Sequence, residues 1–176
     1  SSACGVELVE LDENPVDAIW AEQPALPDGT ISIQPQHLAG VTAKRKLAQL
    51  QRELRATKVQ AVILTDPTSL SWLFNIRGNQ ISHTPLVLGW AIIPARGMAQ
   101  IFADTEKADV ETRAYLTQLA DLHAYALFED ALTTLGQQAK SIMVDPAKTA
   151  TAIASRLEAG GATLLHLAQK LEGLKA

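Results

Sequence analysis

The sequence predicts an α/β domain in which helices cover both faces of a mixed six-stranded sheet. From residue 42 onward, short apolar runs alternate with segments of helical periodicity, which is typical of strands joined by helices. Two of the runs, residues 86–93 and 99–103, are separated by the turn sequence Pro-Ala-Arg-Gly, which predicts an antiparallel hairpin. Strand–helix alternation with one hairpin favours a mixed sheet with helices on both faces.

The first 40 residues differ from the rest and are interpreted as the tail of an upstream domain plus a linker, which leaves the domain itself at residues 41–176. Residues 7–11 alternate like a short strand, and Asn14 before a proline predicts a capped helical turn. Prolines punctuate residues 23–36, which are predicted to be extended. Trp20 requires an apolar surface, and docking on this same domain is favoured over docking on a missing one.

The regular pattern opens with a helix over residues 42–54. Thr42 is a predicted N-cap, and apolar side chains recur on one face at helical spacing. The basic cluster at residues 44–46 is interpreted as a solvated part of this helix. Residues 59–64 predict a buried strand, and Asp66 followed by a proline predicts the start of a short helix that ends at Phe74.

The second half continues the alternation. Residues 86–93 form a continuous apolar run that predicts a central strand. Further strands are predicted at residues 122–126, 141–144 and 162–167. Helices are predicted from Asp104 or Thr105 to residue 119, over 128–138, from the Asp-Pro pair at 145–146 to 158, and over 168–175.

Composition and charge exclude several classes of partner. The net charge of -4, with scattered basic residues, argues against a nucleic-acid partner. No apolar run approaches the length of a membrane span, so no membrane partner is expected. The single cysteine cannot form an intramolecular disulfide, and residues 1–5 lack the features of a signal peptide. A cytoplasmic location is therefore expected.

The residues contain no recognisable catalytic constellation. No H-E-x-x-H, C-x-x-C, G-x-G-x-x-G, phosphate-binding loop or G-x-S-x-G motif occurs, and no histidine has a carboxylate at ligand spacing. Arg77, in a loop, is of a type that grips carboxylates in bidentate fashion, although a surface role or a structural pair to a loop carbonyl is favoured from sequence alone. His83 can titrate near neutral pH.

Residues 72–81, W-L-F-N-I-R-G-N-Q-I, and Pro85 carry a family resemblance. They resemble the W-L-x-N-x-R-G-x-D-I-x-x-N-P stretch of the middle domain of three-domain Xaa-Pro aminopeptidases, a creatinase/prolidase N-terminal-type domain. Residues 14–20 resemble the segment that closes the first domain of these enzymes, and residues 171–175 resemble the approach to the catalytic domain. The resemblance implies a creatinase/prolidase N-terminal-type fold with its ribonuclease H-like motif.

The resemblance also implies an activity, but one that resides elsewhere. The family removes N-terminal residues that precede proline, using two divalent metals, usually manganese, held by a C-terminal domain that would follow residue 176. No catalytic residue and no cofactor is therefore expected in this chain. The implied partners are the catalytic domain of the same polypeptide and, through the parent enzyme, proline-containing peptides.

By the same resemblance this domain is a non-catalytic wall that restricts access to the active site, and Arg77, Gln80 and His83 are candidates to line the substrate channel. Gln80 replaces the aspartate of the family pattern and Thr84 replaces its asparagine, which puts the standard role of the loop and the activity of the parent in question. Two alternatives stay open, a stand-alone binding domain and a module that forms a homodimer.

Overall fold

The computed structural model describes residues 9, 11, 14–25 and 27–166. Its α-helices in these ranges are α1 Pro15–Ile19, α2 Gln36–Ala39, α3 Ala43–Ala56, α4 Pro67–Phe74, α5 Val110–Thr117, α6 Phe128–Gln138 and α7 Thr151–Ala159. Its strands are β1 Ile31–Ile33, β2 Ala61–Leu64, β3 Ile76–Gly78, β4 Trp90–Pro94, β5 Ala99–Phe102, β6 Ala120–His123, β7 Ser141–Val144 and β8 Thr163–His166. Short 3-10 turns precede α5 and α6.

The main sheet has six strands in the order β6-β5-β4-β2-β7-β8. Strand β4 is antiparallel to both of its neighbours, and the other pairs are parallel. All strands except β4 therefore run in one direction. Their carboxyl ends share one edge of the sheet with the amino end of β4, and this edge positions the site described below.

Helices cover both faces of the sheet, as the sequence predicts. On β2, Val62 and Leu64 join the cluster of buried residues built with α3, α4 and α5, whereas Ile63 belongs to the cluster built with α6 and α7. The same alternation separates Ile92 from its neighbours on β4. These two strands therefore contribute side chains to two apolar layers, which is how a central sheet is held between helices.

The starts of α1, α3 and α4 follow the predicted capping residues. Thr42 Oγ1 accepts a hydrogen bond from Arg45 N at 3.3 Å, and the Asp66 carboxylate accepts from the backbone N–H groups of Thr68 and Ser69. Asn14 caps α1 in the same way through Val16 N. These side chains satisfy amide groups that a helix start leaves without partners.

The predicted linker at residues 23–36 contains regular structure. β1 pairs with β3 in a two-stranded antiparallel sheet, and Ile31 is buried in the larger core cluster. Neither three-residue strand was predicted, because each is too short to show a period. The predicted burial of Trp20 on this domain is also wrong, since its side chain is 48% exposed and α1 buries none of its residues.

Other elements shift at their ends. The central strand begins at Trp90, and residues 86–89 precede it without regular structure. Asp109, not Asp104, caps α5, and residues 146–149 form a turn so that α7 begins only at Thr151. The strand predicted at residues 7–11 and the helix predicted at 168–175 lie outside the described residues, except that residues 9 and 11 have no regular structure.

Candidate functional site

A cleft of about 730 Å³ opens at the carboxyl edge of the main sheet. In open α/β sheets this edge is the usual place for a ligand. Residues that follow β2, β5 and β6 line the cleft, together with the segment before β4 and part of residues 25–28. We call it the edge cleft; the lining residues used below are Asp28, Gln80, Trp90, Asp104, Lys107 and Tyr125.

The segment before β4 is fastened by hydrogen bonds at the cleft wall. Gln80 Oε1 accepts from Leu88 N at 2.9 Å, and the Tyr125 hydroxyl donates to Leu88 O at 2.8 Å. Burial raises the pKa of Tyr125, against the lowering effect of hydrogen bonding from the Gln80 side chain and the Asp104 backbone. The phenol therefore stays protonated at neutral pH and serves as a donor.

Glycine allows the same segment to approach the sheet. A Cβ on Gly89 would lie 2.7 Å from Phe102 O, and a Cβ on Gly78 would lie 2.6 Å from Leu86 O. Both distances are shorter than real Cβ contacts. These glycines therefore permit the packing that brings residues 86–89 against β5 and β3, and so form one wall of the edge cleft.

Aromatic rings form the side of the cleft that faces α6. The Trp90 ring meets Tyr125 edge-on at 5.5 Å between centroids and stacks on Phe128 at 4.6 Å. A second cavity of about 330 Å³ lies beyond Trp90 and Tyr125, which line both cavities. The Trp90 and Tyr125 rings thus lie between the two cavities and line both of them.

A second constellation lies at the other end of α4, and we call it the lysine corner: Lys46, Trp72 and Asn75. The Lys46 ammonium donates to Trp72 O and to Asn75 Oδ1, both at 2.6 Å, and lies 4.3 Å from the centre of the Trp72 ring. Asn75 adopts the left-handed conformation that ends α4, and its Nδ2 donates to Val41 O. Lys46 is only 6% exposed.

The predicted solvated cluster at residues 44–46 is therefore wrong for Lys46. Burial lowers the pKa of Lys46, and the nearby Arg77 charge lowers it further. Hydrogen bonds and the Trp72 face offset part of the cost of burying the ammonium. The lysine corner thus explains two positions of the W-L-x-N-x-R-G stretch, Trp72 and Asn75, by local structure.

The three predicted channel residues do not share one cavity. Gln80 lines the edge cleft, whereas Arg77 lies on β3, half-buried, with Nη1 donating to Ile76 O at 3.1 Å. His83 is exposed, with φ of 59°, in the turn between Ile81 and Thr84. The carbonyl that Arg77 contacts belongs to the preceding residue of the same strand and not to a loop.

Sequence reasoning missed Lys46, Trp90, Asp104 and Tyr125. A signal existed for Lys46, because position 46 lies three residues after Ala43 and four before Leu50, within the apolar stripe of α3. No comparable signal exists in the sequence for Trp90, Asp104 and Tyr125. They lie in separate segments that are brought together only by the order of the strands in the sheet.

Residues 22–176 match the profile of the Creatinase/Prolidase N-terminal domain. The chain belongs to this family. A curated relative from Ajellomyces capsulatus strain H143, named "Probable Xaa-Pro aminopeptidase P", is 36% identical over 140 residues, which is 78% of this chain and 22% of the relative. A relative of the same name from Colletotrichum graminicola is 37% identical over 133 residues, 74% of this chain and 21% of the relative.

Solved structures support the fold of this creatinase/prolidase N-terminal domain. The X-prolyl aminopeptidase of Caenorhabditis elegans, described as a cytosolic enzyme with a di-nuclear active site, has a TM-score of 0.83 at 24% identity, covering 96% of this chain and 28% of its own. The N-terminal domain of the Mycobacterium tuberculosis cytoplasmic peptidase PepQ has a TM-score of 0.55 at 12% identity, covering 74% of this chain and 98% of its own.

This chain spans about a fifth of the length of the curated relatives it matches. Across the part of the chain that the structure describes, no group of three or more His, Cys, Asp or Glu side chains is arranged to hold a metal ion. These donors do not fit a dinuclear centre such as the one named for the nematode enzyme. Within the same ranges, no helix is both long and apolar enough to cross a bilayer.

Proposed function

We propose that this domain is a non-catalytic part of a metallo-aminopeptidase that removes N-terminal residues preceding proline, and that it walls off the active site. The observation that carries the proposal is the match to relatives named Xaa-Pro aminopeptidase P, each about five times longer than the matched region. The catalytic C-terminal domain of the same polypeptide would be its partner and would hold two divalent metals, with manganese the expected ion. The parent is proposed to act in the cytoplasm.

Exposed apolar residues support a role beside another domain. Ile19, the last residue of α1, is 83% exposed, and Trp20, which follows it, is 48% exposed; α1 buries none of its residues. Large apolar groups placed together in this way are typical of a surface that a partner covers. Residues 1–40 are accordingly proposed to connect this domain with one that precedes it.

Arg77 and Gln80, with His83 on the neighbouring turn, are proposed to face the substrate channel of the parent enzyme. Among the described residues Arg77 forms no ion pair, so its guanidinium remains available to a peptide carboxylate or carbonyl. Gln80 keeps the loop against Leu88, which suits a wall better than a moving part.

The test uses the full-length polypeptide that carries this domain, assayed for release of the first residue from Xaa-Pro peptides. Chelation is expected to abolish cleavage and manganese to restore it. Arg77→Ala is expected to lower kcat/KM by about tenfold through loss of one charge-assisted contact to substrate.

Arg96→Ala is the matched control. Arg96 is an exposed arginine in the β4–β5 turn, at the edge of the sheet opposite the edge cleft, and its loss should leave kcat/KM unchanged. Equal kinetics for both variants would refute the role of Arg77. Failure of the full-length protein to cleave any Xaa-Pro peptide with metal present would refute the peptidase assignment itself.

A further inference from the structure

The Asp104 carboxylate lines the edge cleft, and the contacts described so far give it no role. It is half-buried, and within the described ranges it neither caps the following 3-10 turn nor makes a hydrogen bond or ion pair. It lines the edge cleft together with Tyr125 and Lys107, and its charge acts to raise the pKa of both groups. A half-buried carboxylate that makes no direct hydrogen bond or ion pair is available to a cationic ligand.

The neighbouring lysine does not neutralise it. Lys107 Nζ pairs with Asp28 Oδ1 at 2.6 Å, and Asp104 is not within ion-pair distance of it. The charged residues of the lining, Asp28, Asp104 and Lys107, therefore leave one net negative charge. This net negative charge disfavours an anionic ligand.

The rest of the lining is suited to an organic cation. Trp90 and Tyr125 line the cleft with aromatic rings, and aromatic rings attract ammonium and guanidinium groups and pack against alkyl chains. A metal ion would require several oxygen ligands, and the described residues offer no such group. A cleft of about 730 Å³ also exceeds what a single ion would occupy.

We propose that the edge cleft binds a cationic alkyl side chain of a peptide, that of lysine or arginine, with Asp104 as the counter-charge and Trp90 and Tyr125 as the apolar wall. This inference concerns the chain itself and holds whether or not the parent is a peptidase.

The experiment titrates the 176-residue chain, labelled with nitrogen-15, with three small probes observed by NMR. Nα-acetyl-lysine amide carries only a side-chain cation, norleucine amide only an α-ammonium, and Nα-acetyl-norleucine amide no charge. The lysine probe is expected to shift the Trp90 indole signal and to bind about tenfold more tightly than the uncharged probe.

Three variants test the residues. Asp104→Asn keeps the shape of the side chain and should remove the tenfold preference, whereas Asp121→Asn, an exposed carboxylate on β6 outside the cleft lining, should leave it intact. Lys107→Gln should strengthen binding by about threefold, because it frees Asp28 as a second counter-charge. A purely structural role for these residues predicts no such gain.

Several outcomes would overturn the proposal. No saturable binding of the lysine probe, or equal binding of the charged and uncharged side chains, would show that the cleft does not select a cation. Equal binding of norleucine amide would assign the site to an α-ammonium instead of a side chain. An Asp104→Asn variant that keeps the preference, in a chain whose spectrum is otherwise unchanged, would remove Asp104 from the site.

Discussion

Two tryptophans of this domain stand in opposite situations. At the lysine corner, Trp72 already has a cation, because the Lys46 ammonium lies 4.3 Å from its ring centre and also bonds its carbonyl. At the edge cleft, Trp90 lines open space beside the Asp104 carboxylate, which has no partner in the described part of the chain. The first arrangement is satisfied within the fold, and the second is not.

This difference separates residues that are expected to matter for stability from residues that are expected to matter for binding. The lysine corner joins α3 to the end of α4 and leaves little for a ligand to add, so its residues are expected to matter for folding. Unsatisfied groups in the cleft are expected to matter little for folding and more for binding. We therefore expect substitutions at the lysine corner to lower the free energy of unfolding more than substitutions at the edge cleft. The reverse order would contradict this contrast between the two sites.

The largest effect is expected at the lysine corner. Lys46→Met keeps the length of the side chain but leaves Trp72 O and Asn75 Oδ1 without their donor, and should lower the free energy of unfolding by about 2 kcal/mol. Urea denaturation followed by tryptophan fluorescence measures it. Lys44→Met, an exposed lysine on the same helix, should change little. If Lys46→Met left the free energy of unfolding unchanged, burying the ammonium would cost as much free energy as its contacts contribute.

An effect of intermediate size on stability is expected at Asp66, the N-cap residue of α4. Burial would raise the pKa of Asp66, but hydrogen bonds from Ser69 and Thr68 and the charge of Lys148 together lower it below the ordinary value of an aspartate. Asp66→Ala should cost about 1 kcal/mol at neutral pH.

The pH dependence of this variant follows from the sign of the shift. A carboxyl group whose folded-state pKa is lowered contributes stability above its unfolded pKa and loses it as pH falls through the folded value. The difference in unfolding free energy between the wild-type chain and Asp66→Ala should therefore hold from neutral pH down to about pH 4 and shrink below it. A difference that stays constant in acid would contradict the role of the ionised cap.

The smallest effect on stability is expected at Asp104, where Asp104→Asn should change the free energy of unfolding by less than about 0.5 kcal/mol. The reason is that its carboxylate has no partner to lose in the described ranges. Differential scanning calorimetry of the two chains side by side provides the measurement. A loss of unfolding free energy as large as that expected for Lys46→Met would show that Asp104 stabilises the fold. The contrast between the surroundings of the two tryptophans would then not hold.

The strongly patterned parts of the fold could be predicted from the sequence. Helix α6 lies at Phe128–Gln138 and strand β7 at Ser141–Val144, both as predicted, because local periodicity and neighbouring turn residues were sufficient. The pair β1 and β3 could not be predicted, since each strand is three residues long and its partner is distant in sequence. Lys46 was misassigned because basic clusters on helices are usually solvated.

The edge cleft was beyond sequence reasoning for a topological reason. Gln80, Asp104 and Tyr125 come together only because β6, β5 and β4 are adjacent in the sheet, and a single sequence does not reveal that order. The predicted central strand also began at residue 86, which would have placed Trp90 inside the sheet instead of at its edge. The family resemblance points to Arg77, Gln80 and His83, and their role in a channel stays a prediction.

The reversed direction of β4 has a consequence for how this domain can diverge. Because β4 enters the sheet at the cleft edge, the segment that precedes it, residues 79–89, shapes the cleft, while the β4–β5 turn lies at the opposite edge. That segment is anchored by the tight approach at Gly78 and by the bond from Val87 N to Ser71 Oγ. A substitution at Gln80, which lines the edge cleft and fastens this segment to Leu88, would therefore reshape the cleft wall without changing the register of the main sheet.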